Sequence, residues 1–198
     1  AMAEDVAMKI VRCHLATMER IGVRYDVLPR ESDILHLKFW DHAFGLLKER
    51  KAIFFAEEGK TKGCWVMRLE TDSGEEDKII VRSNGTVTYV GKDIAYQFWK
   101  LGLLGRDFQY RIFVEEPRGP LWTTCSTDGE SEHPPFGRAA YVYNVIDVRQ
   151  SYLQKLLKQA LVASGHLEGA DRSHHFSYEM VALSHATARE LGYAPAPD

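Results

Sequence analysis

Two hydrophobic periods alternate along the chain, one typical of amphipathic helices and one typical of strands. Apolar residues recur every three to four positions in residues 4–20 and 33–50, which predicts two amphipathic helices, the second capped by Ser32 and Asp33. Runs of β-branched and aromatic residues further on predict two hairpins. The predicted strand pairs are 52–56 with 63–69 and 78–83 with 86–90, and polar turns are predicted at 57–62 and 71–77.

The segment around Asn84 and Gly85 predicts a hairpin that runs directly into a helix. A type I′ turn needs positive φ at both central residues, and Asn-Gly meets this need well. After Gly91 the apolar period changes from two to about 3.6 residues, so a helix is predicted to begin near Asp93. Asp93 is then either a helix N-cap, worth about 1 kcal/mol, or a ligand-binding carboxylate that shares a pocket with Tyr89. A carboxylate suits a guanidinium because the two form paired charge-assisted hydrogen bonds.

The C-terminal third has the pattern of a parallel strand, helix, strand unit. Residues 138–147 are almost continuously apolar, as a central parallel strand buried on both faces must be. The following elements are predicted as a helix ending at Gly165, a strand at 173–183, a helical turn at 187–191 and an unstructured tail at 194–198. The corner at 147–150 lies at the carboxyl end of a strand, where open α/β sheets bind ligands. The fold class is therefore predicted to be α/β.

Residues 105–138 have a less regular pattern than the segments on either side. They hold four of the seven prolines and an acidic turn at 128–132. Long proline-containing connections of this kind are usually surface loops or insertions. We therefore expect residues 105–138 to be a surface insertion within a single domain that covers residues 1–198.

Composition restricts the function classes. The 25 basic and 28 acidic side chains give a formal charge of −3, which argues against a self-sufficient nucleic-acid binder. The cysteines Cys13, Cys64 and Cys125 lie too far apart for a zinc motif or a disulfide framework, so we expect reduced thiols in a cytoplasmic protein. Since no apolar run approaches the ~18 residues of a membrane span, we also expect no membrane association.

Common catalytic and nucleotide-binding motifs are absent from the sequence. There is no GxGxxG, GxxxxGK[ST], HExxH or GxSxG pattern, so the dinucleotide, P-loop, zincin and hydrolase classes have no motif support. His174 and His175 are adjacent on a predicted strand and would point to opposite faces. We therefore expect no metal site.

Three ordered segments together resemble the catalytic core of arginyl-tRNA synthetases. They are residues 85–95 (GTVTYVGKDIA), 141–150 (YVYNVIDVRQ) and 174–181 (HHFSYEMV). Each segment is a weak signal alone, but their order and spacing agree with the family. The resemblance covers most of the chain and leaves residues 105–138 as an insertion.

The resemblance implies a class I ligase of protein biosynthesis that activates arginine with ATP, accompanied by Mg²⁺, and transfers it to tRNA(Arg). The fold it implies is the second half of a Rossmann-like parallel-sheet nucleotide-binding fold. In the family, a Tyr-x-x-x-Asp pair and a glutamine line the arginine pocket, which correspond to Tyr89, Asp93 and Gln150 here. The strand that ends in Tyr178 and Met180 matches the segment that meets adenine, although Met180 is equally compatible with a plain core residue.

The sequence also departs from the family pattern. The HIGH-type and KMSKS-type motifs, which stabilise the ATP phosphates, are absent, and Leu153 stands where the family often has histidine. We therefore expect a monomeric catalytic-core piece that holds no catalytic residue and is inactive alone. One alternative is a non-catalytic arginine- or nucleotide-binding paralogue. Another is an α/β domain whose supposed site residues are caps and core.

Overall fold

The computed structural model describes residues 2–71, 74–180 and 182–194, apart from the side chains of residues 35, 36, 70 and 71. The helices are α1 Met2–Arg20, α2 Glu31–His36, α3 Phe39–Glu49, α4 Tyr89–Lys100, α5 Ser151–Ala163, α6 Leu167–Asp171 and α7 His185–Glu190. The strands are β1 Val27–Leu28, β2 Phe54–Phe55, β3 Trp65–Thr71, β4 Gly74–Val81, β5 Gln109–Glu116, β6 Gly119–Cys125, β7 Val142–Asp147 and β8 Ser173–Tyr178. A 3₁₀ turn, Val148–Gln150, joins β7 to α5.

The strands form three small sheets around a central group of helices. One sheet has the order β1-β6-β5, with β1 parallel to β6, and the second is the antiparallel sheet β2-β3-β4. The third is the parallel pair β7-β8, with α5 and α6 in the connection between its strands. The chain is thus a mixed α/β protein with both parallel and antiparallel sheets, in agreement with the predicted α/β class.

The hydrophobic core lies where α3, α4 and α5 pack together. Its fully buried side chains include Phe39, Leu47, Ile94, Phe98 and Leu156. Each helix contributes one apolar stripe at 3.6-residue spacing, and each fully buried large side chain is worth about 1.5–3 kcal/mol. Helix α4 contacts both α3 and α5, so it is the helix on which the core is centred.

The N-terminal predictions are confirmed in part. Helix α1 spans the predicted segment, and β2 pairs with β3 as the first hairpin. The second predicted helix is instead two helices, because Lys38 has a φ of 56° and interrupts the helical path between α2 and α3. Asp33 does not cap this helix; it lies buried inside α2, where its Oδ2 accepts a hydrogen bond from Thr124 Oγ1 at 2.7 Å.

The predicted hairpin around Asn84 differs from the observed one. Gly85 has a φ of 83°, whereas Asn84 does not adopt a positive φ, so the turn is not type I′. Gly85 N donates to Arg82 O at 2.9 Å, and Asn84 Oδ1 accepts from Thr86 N at 3.0 Å, which gives a three-residue loop closed by a left-handed glycine. The predicted strand 86–90 shrinks to one bridge, Val81 with Val87, because the helix already begins at Tyr89.

The first strand of this hairpin also begins earlier than predicted. Strand β4 starts at Gly74, which pairs with Thr71 of β3, so the predicted polar turn at 71–77 is mostly strand. The two residues between these strands, 72 and 73, lie outside the described residues.

The prediction of a surface excursion at 105–138 is wrong for the two strands within it. Strands β5 and β6 pair with each other, and β6 also pairs with β1. Tyr110 and Thr124 are fully buried, and Leu121 is 1% exposed. The β5-β6 hairpin is therefore part of the packed structure. Whether residues 105–138 form an insertion relative to other proteins stays a prediction.

The parallel pair β7-β8 is confirmed, but β7 is buried on one face only. Val142 and Asn144 are buried, whereas Tyr143 and Val145, which point the other way, are 61% and 62% exposed. The apolar run at 138–147 thus does not reflect burial on both faces within this chain. Helix α7 lies close to the predicted turn at 187–191. Residues 195–198, most of the predicted tail, lie outside the described residues.

Candidate functional site

Tyr89 and Asp93 lie in the first two turns of α4, which begins after Thr88. The hydroxyl of Thr88 donates to the carbonyl oxygens of Ile79 and Ile80 at 3.0 and 3.1 Å, which fixes the start of the helix on β4. Asp93 is the fifth residue of α4, so the interpretation of Asp93 as an N-cap is wrong. Its carboxylate therefore does not cap the helix, which was the simpler of the two roles considered from the sequence.

Gly91 explains why α4 can begin where it does. A Cβ at this position would lie 2.8 Å from Val87 Cγ1 and 3.1 Å from the Trp40 ring. The first turn of α4 therefore packs against α3 more closely than any residue with a side chain would allow. This close contact fixes the position of Tyr89 and Asp93 relative to the core.

Asp93 is half-buried and carries an electrostatic penalty. Burial raises its pKa to about 6, and the negative charge of Glu31 adds to the increase, while Lys100 and Lys92 act in the opposite direction. Lys92 is already engaged by Glu31, with Nζ and Oε1 2.6 Å apart. Among the described residues, the Asp93 side chain has no hydrogen-bonding partner. A cationic ligand would supply what this carboxylate lacks.

Tyr89 is 55% exposed and contacts the start of α5. Its hydroxyl is hydrogen-bonded to the hydroxyl of Tyr152, and this bond, followed by burial, raises the pKa of Tyr89 to about 12. The Tyr152 ring also has Lys78 Nζ 5.2 Å from its centroid. Tyr152 therefore joins the first turns of α4 and α5. The sequence analysis missed it, because nothing in its local pattern marks it as a contact of Tyr89.

Gln150 lies at the end of the 3₁₀ turn, on a corner that is fixed by an ion pair. Arg149 donates to Asp147 through Nε and Nη2 at 2.9 and 2.7 Å, and through its backbone N at 2.8 Å. These bonds hold the pKa of Asp147 low, at about 2. The Gln150 side chain is exposed and makes no hydrogen bond to any described residue. Gln150 precedes Tyr152 by two residues. The hydrogen bond between Tyr152 and Tyr89 therefore brings the segment that contains Gln150 close to the start of α4.

Tyr178 and Met180 lie at the same edge of the parallel pair. Tyr178 is the last residue of β8 and pairs in register with Asp147 at the end of β7. Tyr178 is 46% exposed and Met180 is 77% exposed, so Met180 is not a core residue of this chain. Leu153, in contrast, is 3% exposed and belongs to the core. The carboxyl ends of both strands thus meet at the 147–150 corner, as predicted.

Other features of the described residues do not compete with this site. A cavity of about 470 Å³ lies between α1 and the β5-β6 hairpin, and its lining includes Met8 and Arg111 but no residue of α4. Within residues 2–71, 74–180 and 182–194, no group of three or more His, Cys, Asp or Glu side chains could hold a metal ion. Over the same residues, no helix is both long and apolar enough to cross a bilayer.

The chain is similar to curated arginine–tRNA ligases. It is 38% identical to that of Thermococcus kodakarensis over 183 residues, which cover 91% of this chain and 28% of the relative. It is 40% identical to that of Thermus thermophilus over 178 residues, covering 88% of this chain and 29% of the relative. No protein-family model matches the chain.

Solved structures give the same result. The arginyl-tRNA synthetase of Thermus thermophilus superposes with a TM-score of 0.72 at 37% identity, covering 89% of this chain and 30% of that structure. A putative arginyl-tRNA synthetase from Campylobacter jejuni shares the fold, with a TM-score of 0.57 at 16% identity. The resemblance carried by the three ordered segments is thus confirmed, and the chain is a homologue of a part of the arginyl-tRNA synthetases that spans less than a third of their length.

Proposed function

We propose that this chain supplies the arginine-binding part of an arginine–tRNA ligase, an enzyme that activates arginine with ATP and transfers it to tRNA(Arg). The observation that carries the proposal is Asp93, a half-buried carboxylate without a hydrogen-bonding partner among the described residues, one helical turn from the exposed Tyr89. The similarity to arginine–tRNA ligases supports the choice of ligand.

In this proposal, the carboxylate of Asp93 accepts two N–H groups of the guanidinium of arginine. The Tyr89 hydroxyl and the Gln150 side-chain oxygen accept further N–H groups and fix the plane of the cation. A guanidinium has five donors in a rigid plane, whereas the ammonium of lysine is a compact point charge. When lysine binds, some of the acceptors arranged around the guanidinium plane stay unpaired. Such unpaired buried groups are the main source of discrimination between arginine and lysine.

The raised pKa of Asp93 fits a site prepared for a cation. Burial makes the isolated carboxylate unfavourable, and a bound guanidinium would compensate that penalty through charge and hydrogen bonds. The nearby basic groups offset the penalty only in part, because Lys92 is paired with Glu31 and Lys100 donates to Asn144. The free carboxylate therefore keeps most of its interaction capacity for a ligand.

ATP would lie at the carboxyl edge of β7 and β8, which we take as the second half of a Rossmann-like fold. Tyr178 and Met180, both exposed at this edge, are the residues we propose to meet adenine. Mg²⁺ would accompany the phosphates of ATP, as it usually does in nucleotide sites. The described residues offer no cluster of acidic ligands for it, so we assign no residue of this chain to the metal.

A second candidate function is a non-catalytic paralogue that binds arginine or a nucleotide. It is favoured by the absence of HIGH-type and KMSKS-type motifs from the sequence and by the buried Leu153 in place of histidine. Both candidates use the same pocket. They differ in whether the intact protein activates arginine. In either case we expect no activation of arginine by this chain alone, because stabilisation of the reacting phosphates is usually the dominant catalytic contribution.

Two measurements test these proposals on the full 198-residue chain. The first is an NMR titration with arginine, which detects millimolar affinity; we expect saturable shifts around α4 that lysine does not reproduce at the same concentration. An absence of arginine binding would contradict the first candidate and the arginine-binding form of the second. The second is arginine-dependent exchange of pyrophosphate into ATP, where turnover near that of an intact ligase would overturn the expected inactivity and the paralogue alternative together.

A further inference from the structure

A buried hydrogen-bond network lies in the core beneath the proposed pocket, and Asn144 is its centre. Asn144 is 5% exposed. Its Oδ1 accepts from Lys100 Nζ at 2.9 Å, and its Nδ2 donates to Oε1 of Gln154 at 2.8 Å and to Oε1 of Gln97 at 3.3 Å. Gln97 continues the network by donating through Nε2 to Ser173 Oγ at 2.8 Å. Five side chains from four different elements are thus connected.

The connected elements carry or adjoin the residues of the proposed site. Lys100 and Gln97 are on α4, and Gln97 lies one turn after Asp93. Gln154 is on α5, one turn after Gln150 at the preceding corner. Ser173 begins β8, the strand that ends at Tyr178, and Asn144 itself is on β7. The network therefore connects the helices and strands that present the arginine and ATP residues.

The network is expensive in a core that is otherwise apolar. Residues such as Ile94 and Leu156 are fully buried in the same core. Buried amides are tolerated only when their hydrogen bonds are made with good geometry. One buried group of the network, Gln154 Nε2, has no partner among the described residues. A network that leaves even one amide unsatisfied is difficult to explain by stability alone.

Hydrogen bonds fix positions that apolar contacts leave adjustable. An apolar helix can slide along a strand with little loss of contact, whereas a shift of one residue, about 1.5 Å along a helix, would break an amide hydrogen bond. Both helices are bonded to the same side chain of β7. The spacing between Asp93 on α4 and Gln150 before α5 is therefore set through Asn144.

We propose that Asn144 is a positioning residue of the arginine pocket, which holds α4 and α5 in the register that places Asp93 and Gln150 on the same guanidinium. This inference rests on the proposed function. Lys100 adds to it: the ammonium lies 4.6 Å from the centroid of the Tyr96 ring as well as on Asn144. Burial lowers the pKa of Lys100 to about 8, and Asp93 partly offsets that decrease. Asn144 thus also holds the cation that acts on the pocket carboxylate.

The experiment compares Asn144→Leu with Val142→Ala in the full chain. Val142 is the matched control, because it is buried on the same face of β7 at 6% exposure and its apolar side chain makes no hydrogen bond. Arginine and lysine are titrated by NMR into each variant at a temperature where its thermal melt shows it folded. We expect Asn144→Leu to weaken arginine binding about tenfold and to reduce the arginine-to-lysine preference, while Val142→Ala stays within twofold of the parent.

The outcome is read from the ratio of the two losses. An arginine loss in Asn144→Leu at least threefold larger than in Val142→Ala supports a positioning role, and any smaller ratio overturns it. If Asn144→Leu does not fold, Asn144→Asp replaces it under the same threshold, since it keeps the acceptor for Lys100 but loses both donors. Asp93→Asn is measured alongside: if it abolishes binding while the loss in Asn144→Leu stays below three times that in Val142→Ala, the positioning role alone fails. If Asp93→Asn binds arginine normally, the proposed function fails instead.

Discussion

Two carboxylates lie at opposite ends of α4, and the protein treats them differently. Asp107, beside the C-terminal end, accepts three hydrogen bonds on one oxygen, from Trp99 Nε1 at 2.8 Å, Phe108 N at 2.8 Å and Tyr110 Oη at 2.5 Å. Asp93, near the N-terminal end, accepts none from the described side chains and is half-buried. The fold supplies hydrogen-bond donors to one carboxylate and none, among the described residues, to the other.

This difference gives opposite expectations for Asp107, an acid that the fold satisfies, and for Asp93, the acid that we propose binds a ligand. Asp107 connects the end of α4 to β5 and satisfies two donors of the buried aromatic side chains Trp99 and Tyr110. Removing it should therefore reduce stability and leave ligand binding unchanged. Asp93 carries a desolvation penalty without compensating bonds, so removing it should abolish binding and leave stability unchanged or improved.

The largest effect is expected for Asp93→Asn on arginine affinity. The substitution removes the charge and one of two acceptors facing the guanidinium, which should cost about 2–4 kcal/mol of binding free energy.

The same substitution should not reduce stability at neutral pH. The pKa of Asp93 is raised in the folded chain, so the folded state binds more protons than the unfolded state between about pH 4 and 6. The free energy of unfolding therefore falls as pH rises through that window. Above pH 6 the variant should thus melt no lower than the parent.

Isothermal titration with arginine, beside thermal melts at pH 7, checks this prediction. Asp41→Asn is the matched control, because Asp41 is an exposed acid in the first turn of α3. Equal arginine affinity in Asp93→Asn and Asp41→Asn would return Asp93 to an ordinary surface role and would remove the support for Tyr89 and Gln150 as pocket residues.

Asp107→Ala should have the next largest effect, on stability alone. It leaves Trp99 Nε1 and the Tyr110 hydroxyl without their acceptor, and unpaired buried donors cost about 1–3 kcal/mol each, so we expect a loss of about 2–4 kcal/mol. Asp107→Asn keeps an acceptor oxygen and should lose less than half as much. Urea unfolding followed by tryptophan fluorescence measures both. A loss of arginine affinity in folded Asp107→Ala would contradict the division of roles between the two acids.

Local pattern predicted the elements whose packing follows from their own sequence. The spacing of apolar residues predicts helices α1 and α5, and two β-rich runs around a polar turn predict the β2-β3 hairpin. The start of α4 is not predicted in this way, because Tyr89 and Val90 favour a strand by their local propensity. The close contact of Gly91 with Trp40, which lies far away in sequence, overrides that propensity.

The parts of the site that depend on distant residues could not be predicted. Tyr152 lies 63 residues from Tyr89, and Asn144 lies 44 residues from Lys100, so no local pattern connects either pair. Prolines also misled the prediction for β6, since Pro120 lies near the start of a strand that is buried from Leu121 onward. Both the helix-start pattern and the resemblance pointed to Asp93 and Tyr89, and the structure adds that Asp93 is half-buried without a hydrogen-bonding partner among the described residues.

The pH dependence of arginine binding should follow Asp93 alone at low pH. Its pKa of about 6 in the free chain means that the carboxylate is increasingly protonated below that pH, and the guanidinium must displace the proton. Arginine affinity should thus fall towards tenfold per pH unit below about pH 6 and change little from 6.5 to 7.5, a range in which most of Lys100 is still protonated. Titrations at half-unit intervals measure this. Affinity unchanged from pH 7 to pH 5 would exclude a carboxylate with a raised pKa from the pocket.

The smallest effect separates the two causes of that raised pKa. Glu31 raises the pKa of Asp93 and Lys92 lowers it, and the two are paired with each other on the surface. Glu31→Gln removes the repulsion and releases Lys92, so the midpoint of the pH dependence should move down; Lys92→Gln releases Glu31, so it should move up. Because both groups are partly solvated, each shift should be about half a pH unit and should shrink in 0.5 M salt. The rise in the pKa of Asp93 that is caused by burial should persist in 0.5 M salt. The loss of unfolding free energy in Asp107→Ala should be the same with or without either substitution. Shifts in the same direction for both variants would contradict the opposite effects assigned to Glu31 and Lys92, and no shift in either variant would show that Asp93 does not sense this pair.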